Sequence, residues 1–352
     1  MSSPTAPPVP PGSSIDLPRP RGELSAAVTE ILRTAPSGRT RFPEATAADP
    51  YGDDLHLALH TCYELHYHGF ESVHPGWEWD PELLRFRGNL EQLFRRSLHN
   101  DVKGGDDIVH ALAELLIEPL EPNDIARYLN DEGEWWHLRE YFVQRSIYHH
   151  KEGDPHAWVI PRLFGQEKAS LVAVEYDEFG GGRGERVHAR LYADLLAAAG
   201  LHDGYLHYLD AVPAPMLALV NMMSLFGLHR DLRGALVGQL ATAEITSSPA
   251  ARRMVAALDK LGAPPECRLF YTEHVEADAV HEQVMRHDVV GGLLAREPAL
   301  TESVVFGIQA TNLLEDRFTD HVLGSWRAGA SSLLTTPDSI RTPGPLPMTG
   351  VA

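Results

Sequence analysis

The chain has few cysteines and few basic residues for its length. Cys62 and Cys267 are its two cysteines in 352 residues, which argues against a disulfide framework and against a cysteine-based metal cluster. Its 30 Lys and Arg residues are outnumbered by 49 Asp and Glu residues, so the formal net charge is −19. Because an acidic surface of this size repels phosphate groups, we expect neither nucleic acid nor an anionic membrane as a partner.

Long apolar segments are also missing. No apolar run approaches the roughly 18 residues that a transmembrane helix requires, although 43% of the residues are hydrophobic. Residues 1–22 lack both the apolar segment and the cationic start of a signal peptide. We therefore expect a cytoplasmic protein that buries a sizeable core.

Alternating patterns typical of β-strands are scarce, whereas helical periodicity is widespread. Apolar residues recur at i, i+3, i+4 and i+7 in most segments between residues 23 and 327. Asp80-Pro81 and Ser248-Pro249 each combine a good N-cap with a proline at the first helical position, which predicts a helix start. The predicted fold class is all-α.

Composition divides the chain into four parts. Residues 1–40 and 334–352 are predicted disordered tails, because they are rich in proline and serine or threonine. A proline-containing acidic loop over 118–136 marks a soft boundary. It separates an N-terminal helical extension (41–125), which we expect to pack on the core, from a helical core (126–333).

Histidine is abundant, with 19 residues, and two groups of histidines and carboxylates have helical spacing. Glu178, Glu185 and His188 are seven and three residues apart, so they would share one face of a continuous helix. Four glycines lie among them. Each would lower the stability of a helix by about 1 kcal/mol relative to alanine, if it were helical. Such a segment is expected where the chain must bend, bulge or admit a group close to its backbone.

The second group is His274, Asp278 and His281, which span about 60° of one helix face. Facing helices that carry such residues build dinuclear carboxylate sites in helical bundles. Histidines and carboxylates without cysteine favour non-haem iron or manganese, and zinc is also compatible.

Each group alone has a structural alternative, because a single Glu-x-x-His is usually a solvated helix face. The glycine run lacks the Lys-Ser/Thr of a phosphate-binding loop. The His- and aromatic-rich segment 60–84 is predicted to be structural, packed by Trp77 and Trp79. Glu244 and Asp316 are interpreted as solvated or capping residues, with a supporting role near a site as the alternative.

Three segments together resemble one protein family. They are "HKEGDPH" (150–156), "VEYDEFGGGRGERVHARLYADLLAAAGL" (174–201) and "FYTEHVEADAVHEQVMRHDVVGG" (270–292). They resemble the haem-oxygenase-like diiron oxidases, which are also described as iron-containing redox enzymes. The resemblance extends over roughly residues 55–330. It implies a haem-oxygenase-like bundle of about seven helices, with a non-haem diiron site where haem oxygenase binds haem.

The resemblance also implies a ligand set of three histidines and three carboxylates. By motif these are Glu152, Glu178, His188, His274, Asp278 and His281. Glu140 is the alternative to Glu152, since Glu152 precedes Gly153-Asp154-Pro155, where a helix normally breaks; His156 ranks behind both. Glu185 is the expected catalytic carboxylate, which some family members recruit when metal binds.

The implied activity is oxidation by O2, with two irons per chain cycling between Fe(II) and Fe(III) through a peroxo-diferric intermediate. The expected substrate is a small amine, an amino-acid-derived compound or an aliphatic compound of specialised metabolism. A homodimer is a candidate assembly. The alternative is a non-catalytic helical scaffold that binds metal or a partner. A substrate pocket is expected against the metal site, lined by residues 215–228, whose Met-rich stripe suits an adaptable lining. A packed core is the favoured role of this stripe.

Overall fold

The computed structural model describes residues 15–38, 41–45, 48–117 and 124–341; for residues 276–279 it describes the backbone but not the side chains. These ranges contain helices and no β-strand, so the all-α prediction is confirmed. None of the described helices combines the length and apolarity needed to cross a membrane.

The described residues of the N-terminal part include five α-helices. They are α1 (Glu23–Leu32), α2 (Asp53–Glu64), α3 (Pro81–Asp101), α4 (Ile108–Leu115) and α5 (Ile125–Asp131). The predicted helix start at Asp80 is confirmed, because its Oδ1 accepts hydrogen bonds of 3.0 Å from the backbone N–H groups of Glu82 and Leu83. Trp77 is fully buried, as predicted for a packing residue, whereas Trp79 is 66% exposed and contacts the His66 ring of segment 60–84 in an edge-to-face arrangement.

The C-terminal part is a bundle in which seven of the described helices have eleven residues or more. These are α6 (Trp135–His149), α8 (Gly165–Glu178), α9 (His188–Ala198), α10 (Ala214–Leu228), α11 (Arg233–Lys260), α12 (Pro265–Gln283) and α14 (Thr301–Arg327). Shorter elements complete it: α7 (Asp154–Ala157), a π-helix (Val284–Gly291) and α13 (Gly292–Arg296). The bundle agrees with a haem-oxygenase-like fold.

Helix α11 lies at the centre of the bundle, against α12 on one side and α14 on the other. A side chain at Gly238 would collide with the Val304 carbonyl oxygen, and one at Gly307 with that of Ala235. The backbones of α11 and α14 therefore approach closely. The predicted helix start at Ser248-Pro249 is wrong, since α11 continues through Pro249 and is held by packing on both sides of it.

Parts of both predicted tails are ordered. Helix α1 buries Leu24, Val28 and Leu32, and the Asp54 carboxylate accepts hydrogen bonds from its first backbone N–H groups. Near the other end, Ile340 is fully buried. The tail predictions are therefore wrong for 15–38 and for 334–341, where a few apolar side chains provide enough burial. Residues 1–14 and 342–352 lie outside the described ranges, and the domain boundary near 125 stays a prediction.

Candidate metal centre

The first candidate ligand, Glu152, lies in the break between α6 and α7. Helix α6 ends at His149, and α7 begins at Asp154-Pro155. The Glu152 side chain is only 8% exposed, and its Oε1 accepts a hydrogen bond of 2.9 Å from His149 Nδ1. Its Oε2 is buried without a hydrogen-bond partner among the described residues and lies 3.6 Å from His274 Nε2. The break thus turns one carboxylate oxygen towards the histidines of other helices.

Gly153 allows this break. Its φ of +89° lies in the region that glycine adopts readily and other residues rarely adopt. A Cβ atom there would lie 3.2 Å from the Phe179 ring and 3.3 Å from Glu175 Oε2. Glycine is therefore required both for the turn and for the close approach of α8.

Glu178 and His188 lie at the facing ends of α8 and α9, not on one helix. Gly180, Gly181 and Gly182 all have positive φ, between +62° and +80°, and they interrupt the helix between the two residues. The predicted common helix face of Glu178, Glu185 and His188 is therefore wrong. The glycine-rich turn instead brings Glu178 Oε2 within 2.8 Å of His188 Nδ1.

The contact between Glu178 and His188 does not have hydrogen-bond geometry. Both atoms are buried, and neither has a hydrogen-bond partner among the described residues. A buried carboxylate oxygen and an imidazole nitrogen are costly to leave unpaired. Their separation of 2.8 Å places two buried potential ligand atoms, one from α8 and one from α9, side by side.

Helix α12 contributes His274 and His281, which are 8% and 3% exposed. His274 Nδ1 donates a hydrogen bond of 2.7 Å to the Phe270 carbonyl oxygen, so its Nε2 carries the lone pair on the side of Glu152. His281 Nδ1 and Nε2 lie 3.0 Å from Glu244 Oε2 and 3.1 Å from Asp177 Oδ2, respectively. The side chain of Asp278 lies outside the described part of the chain.

Glu244, on α11, is a buried member of the site, which agrees with the alternative sequence interpretation of a supporting role near a site. It is 5% exposed and contacts His281, so its interpretation as a solvated or capping residue is wrong. A sequence signal was available, because Glu244 is the single charged residue between Arg233 and Arg252. A charge within such an apolar stretch is buried only where partners or a metal compensate it.

These residues form two adjacent clusters. The potential ligand atoms of Glu152, His188 and His274 all lie within 4.8 Å of one another. The same holds for the second cluster, formed by Glu178, Glu244 and His281. Because Glu178 of one cluster contacts His188 of the other, the arrangement can hold two ions side by side.

The pKa shifts follow from burial and from these contacts. Burial opposes ionisation of Glu152, but His149 and His274 outweigh it and hold the pKa of Glu152 well below its usual range. Burial likewise opposes protonation of His188, yet the adjacent Glu178 carboxylate raises the pKa of His188. For His149, burial prevails and lowers the pKa. The site therefore keeps ionised carboxylate close to imidazole.

Glu175, one turn before Glu178, is a buried carboxyl group whose pKa is shifted in the opposite direction from that of Glu152. It is 3% exposed, and neither of its oxygens has a hydrogen-bond partner in the described part of the chain. Burial, followed by Glu178, Glu244 and Asp154, raises the pKa of Glu175 to about 9. This shift favours the protonated, neutral form of Glu175 at neutral pH.

The remaining predicted residues are not among the six that form the two clusters, although His156 lines the same cavity as Glu152 and Glu178. Glu140 is buried in a separate network, where its carboxylate accepts hydrogen bonds from Trp326 Nε1 and from Ser332 N and Oγ. His156 Nε2 donates to Gln239 Oε1 at 2.6 Å. Glu185 and Asp316 are both exposed. The catalytic role of Glu185 stays a prediction.

A cavity of about 350 Å³ opens onto the centre. Glu152, Glu178, Glu244 and His274 line its inner end. Most of the wall comes from α6, α11 and α14, whereas α10 contributes Met223 alone. The pocket lining expected along residues 215–228 is therefore limited to Met223, and the packed core that was favoured for this segment is confirmed, because most of α10 is buried.

The helical bundle and its paired carboxylate–imidazole clusters define the class as a helical metalloprotein. A sequence profile of a family described as iron-containing redox enzyme matches residues 139–316, which is half of the chain. The chain therefore belongs to the iron-containing redox enzyme family. The match begins in α6, ends in α14 and includes both clusters. No curated protein sequence matches the chain significantly.

Proposed function

We propose that the chain is a non-haem diiron oxidase or oxygenase that uses O2. Its substrate is a small amine, an amino-acid-derived compound or an aliphatic compound of specialised metabolism. One observation carries the proposal: two buried clusters meet at Glu178 and His188, whose nearest atoms are 2.8 Å apart without a hydrogen bond.

The donor set suits iron. One cluster offers a carboxylate and two imidazoles, and the other offers two carboxylates and one imidazole. Oxygen and imidazole ligands without thiolate are typical of non-haem iron. Asp278 follows His274 by one helical turn on α12, so we assign it as a further ligand on the strength of the family motif. Glu244 is added to the predicted set.

Two iron ions held there would supply the electrons for reduction of O2. The protein's contribution is to orient the ligands before metal binds: His149 holds Glu152, and the Phe270 carbonyl holds the ring of His274. An ion at His281 would replace one of its two carboxylate contacts, because a coordinating ring nitrogen cannot donate a proton. The cavity brings a substrate to the same carboxylates.

The test is an anaerobic Fe(II) titration of the metal-free protein, followed by rapid mixing with O2. We expect two irons per chain, a transient visible absorption band and consumption of O2. The Glu244→Gln variant should retain about one iron, whereas Glu175→Gln, which changes a buried carboxyl one turn from Glu178, should retain two. Iron binding without O2 consumption would instead support the scaffold alternative.

A further inference from the structure

A chain of aromatic side chains leads away from the metal centre. It begins at His149, which donates a hydrogen bond to Glu152, and it continues to Tyr192, with 4.6 Å between the ring centroids. The His150 ring lies 6.0 Å from that of Tyr192, and the Tyr205 ring lies 6.1 Å from that of His150. These separations are typical of aromatic side chains that pack together. The four rings therefore form a continuous path that starts at the centre.

The path reaches the surface by a route separate from the cavity. Among the described residues that line the cavity, His149 is the one member of the path. At the other end, Tyr205 is partly buried, and its ring lies 4.6 Å from that of the exposed His68. The path thus connects the centre with solvent without passing through the space available to a substrate.

The two tyrosines of the path differ in what accepts their hydroxyl protons. Tyr192 is fully buried, and its hydroxyl group donates a hydrogen bond of 2.8 Å to the Phe142 carbonyl oxygen. The Tyr205 hydroxyl group lies 3.0 Å from both carboxylate oxygens of Glu64. A carboxylate can take up a proton, whereas a backbone carbonyl only accepts a hydrogen bond. Because a tyrosine that loses an electron also releases its hydroxyl proton, oxidation is stabilised at Tyr205 and not at Tyr192.

The backbone and the neighbouring charges hold Tyr205 in this arrangement. Leu206 has a φ of +55°, which residues other than glycine rarely adopt and which often marks a functional constraint. Glu64 is fixed by Lys151 Nζ at 3.0 Å and by the His68 backbone N–H at 3.3 Å. Burial, followed by the Glu64 carboxylate, raises the pKa of Tyr205, so the hydroxyl proton is present before oxidation. The proton donor and its acceptor are therefore already in place.

We propose that Tyr205 is a redox-active tyrosine, oxidised through Tyr192 when the iron centre reacts with O2 and no substrate is bound. Tyr192 gives one electron to the oxidised iron centre and takes one from Tyr205, whose hydroxyl proton moves to Glu64. The products are a neutral tyrosyl radical, a protonated Glu64 and an iron centre reduced by one electron. A small one-electron reductant of the ascorbate class returns the electron beside the exposed His68, and Glu64 returns the proton.

The path protects the centre. Without a substrate, an oxidised centre reacts with the nearest oxidisable side chains, and Tyr148, His149 and His274 all line the cavity at this position. Transfer of the oxidising equivalent to Tyr205 moves it to a residue that a reductant in solution can reach. This inference rests on the proposed function for its oxidant, whereas the path itself consists of residues outside the two clusters.

The test is electron paramagnetic resonance of the Fe(II)-loaded full chain, mixed with O2 without substrate and frozen during the reaction. We expect a tyrosyl signal that narrows with ring-deuterated tyrosine and shows coupling to an exchangeable proton, the one transferred to Glu64. Mössbauer spectra of the same samples report the oxidation of iron. Ferric iron without a tyrosyl signal overturns this inference alone, whereas iron that O2 does not oxidise overturns the proposed function and this inference with it.

Tyrosine variants assign the radical. Tyr205→Phe should abolish the signal, and Tyr192→Phe should lower its yield several-fold. Tyr208→Phe is the matched control, because Tyr208 lies in the same loop but contacts the His202 backbone N–H instead of the path; it should leave the signal unchanged. A signal that persists in Tyr205→Phe overturns the assignment. If Tyr205→Phe does not fold, Tyr192→Phe decides, and an unchanged yield in that variant overturns the path.

Protein damage measures the protective role separately. After repeated cycles of O2 and ascorbate without substrate, peptide mass spectrometry should detect more oxidation at Tyr148, His149 and His274 in Tyr205→Phe than in the wild type. Tyr208→Phe should match the wild type. Equal damage in the three proteins overturns the protective role.

Discussion

Two buried carboxylates, Glu64 and Glu152, lie beside the break after α6, yet their surroundings differ. Glu64 accepts hydrogen bonds of 3.0 Å from Lys151 Nζ and Tyr205 OH, and both members of its ion pair are fully buried. Lys151 also packs on the Tyr67 ring. Glu152 is bonded through one oxygen, while the other is buried without a hydrogen-bond partner among the described residues.

Structural carboxylates differ from candidate ligands in whether their oxygens accept hydrogen bonds from the protein. Burial alone does not distinguish them, since Glu64, Glu140 and Glu152 are all less than 9% exposed. A satisfied carboxylate has its counter-charge and donors within the protein. Glu178 instead places a buried oxygen beside His188 Nδ1 without hydrogen-bond geometry, which suits a metal ligand.

The largest effect is expected where the satisfied pair is broken. Lys151→Met leaves the Glu64 charge buried without its ammonium partner and should lower the free energy of unfolding by about 3–5 kcal/mol. Urea unfolding monitored by circular dichroism measures this change. The double variant with Glu64→Gln should recover part of the loss. A folded Lys151→Met protein with normal stability would show that the pair is not structural.

The next effect concerns the unsatisfied carboxylate that joins the two clusters. Glu178→Gln should weaken iron binding by about 100-fold or more, since changes to groups that only support ligands already cost 10–100-fold. Competition with a colorimetric Fe(II) chelator measures the affinity. Glu175→Gln on the same helix is the matched control. If both variants lose the same iron affinity, Glu178 is not a ligand in a way that Glu175 is not.

A smaller effect should appear in the pH dependence of the metal-free protein. The pKa of Glu175 is raised to about 9 in the folded state, so its stabilising contribution is complete below its ordinary pKa and is lost as the pH rises through about 9. Between pH 6 and 8 the free energy of unfolding of the wild type should therefore fall by about 2.7 kcal/mol relative to that of Glu175→Gln, from about 1.4 kcal/mol per pH unit. Urea unfolding at each pH measures this change. If the free energies of unfolding of the two proteins change in parallel with pH, the predicted shift of the Glu175 pKa is contradicted.

The smallest effect concerns the residue that orients Glu152. His149→Leu removes the Nδ1–H donor and should weaken iron binding about tenfold, at the lower end of the range for groups that position ligands. His149→Asn restores a donor near the position of Nδ1 and should recover part of the affinity. If Asn and Leu behave alike, the hydrogen bond to Glu152 does not position the ligand.

The fold was predictable because helical periodicity extends through most of the chain. The ordered parts of the tails were not, since local composition at residues 15–38 does not show that Leu24, Val28 and Leu32 find a surface on α2. Similarly, the local sequence at Ser248-Pro249 favours a helix start. The packing that stabilises α11 on both sides of Pro249 involves residues distant in sequence and could not be predicted locally.

The site was only partly predictable. Motif spacing located five residues that meet in space, but the geometry that joins Glu178 to His188 depends on a turn and not on a helix face. Glu244 was not predicted as a ligand, because it has no second ligand at helical spacing on α11. The packing of α11 against α12 brings it to His281. A ligand without a second ligand at helical spacing cannot be recognised from the sequence pattern. Its role is visible only in the packed structure.

The central claim is that the two clusters hold two irons. Anomalous X-ray diffraction at the iron edge, from crystals of the full chain grown anaerobically with Fe(II), tests it most directly. We predict two anomalous peaks per chain, one among Glu152, His188 and His274 and one among Glu178, Glu244 and His281. The absence of peaks there, or iron bound only at other residues, would contradict the account.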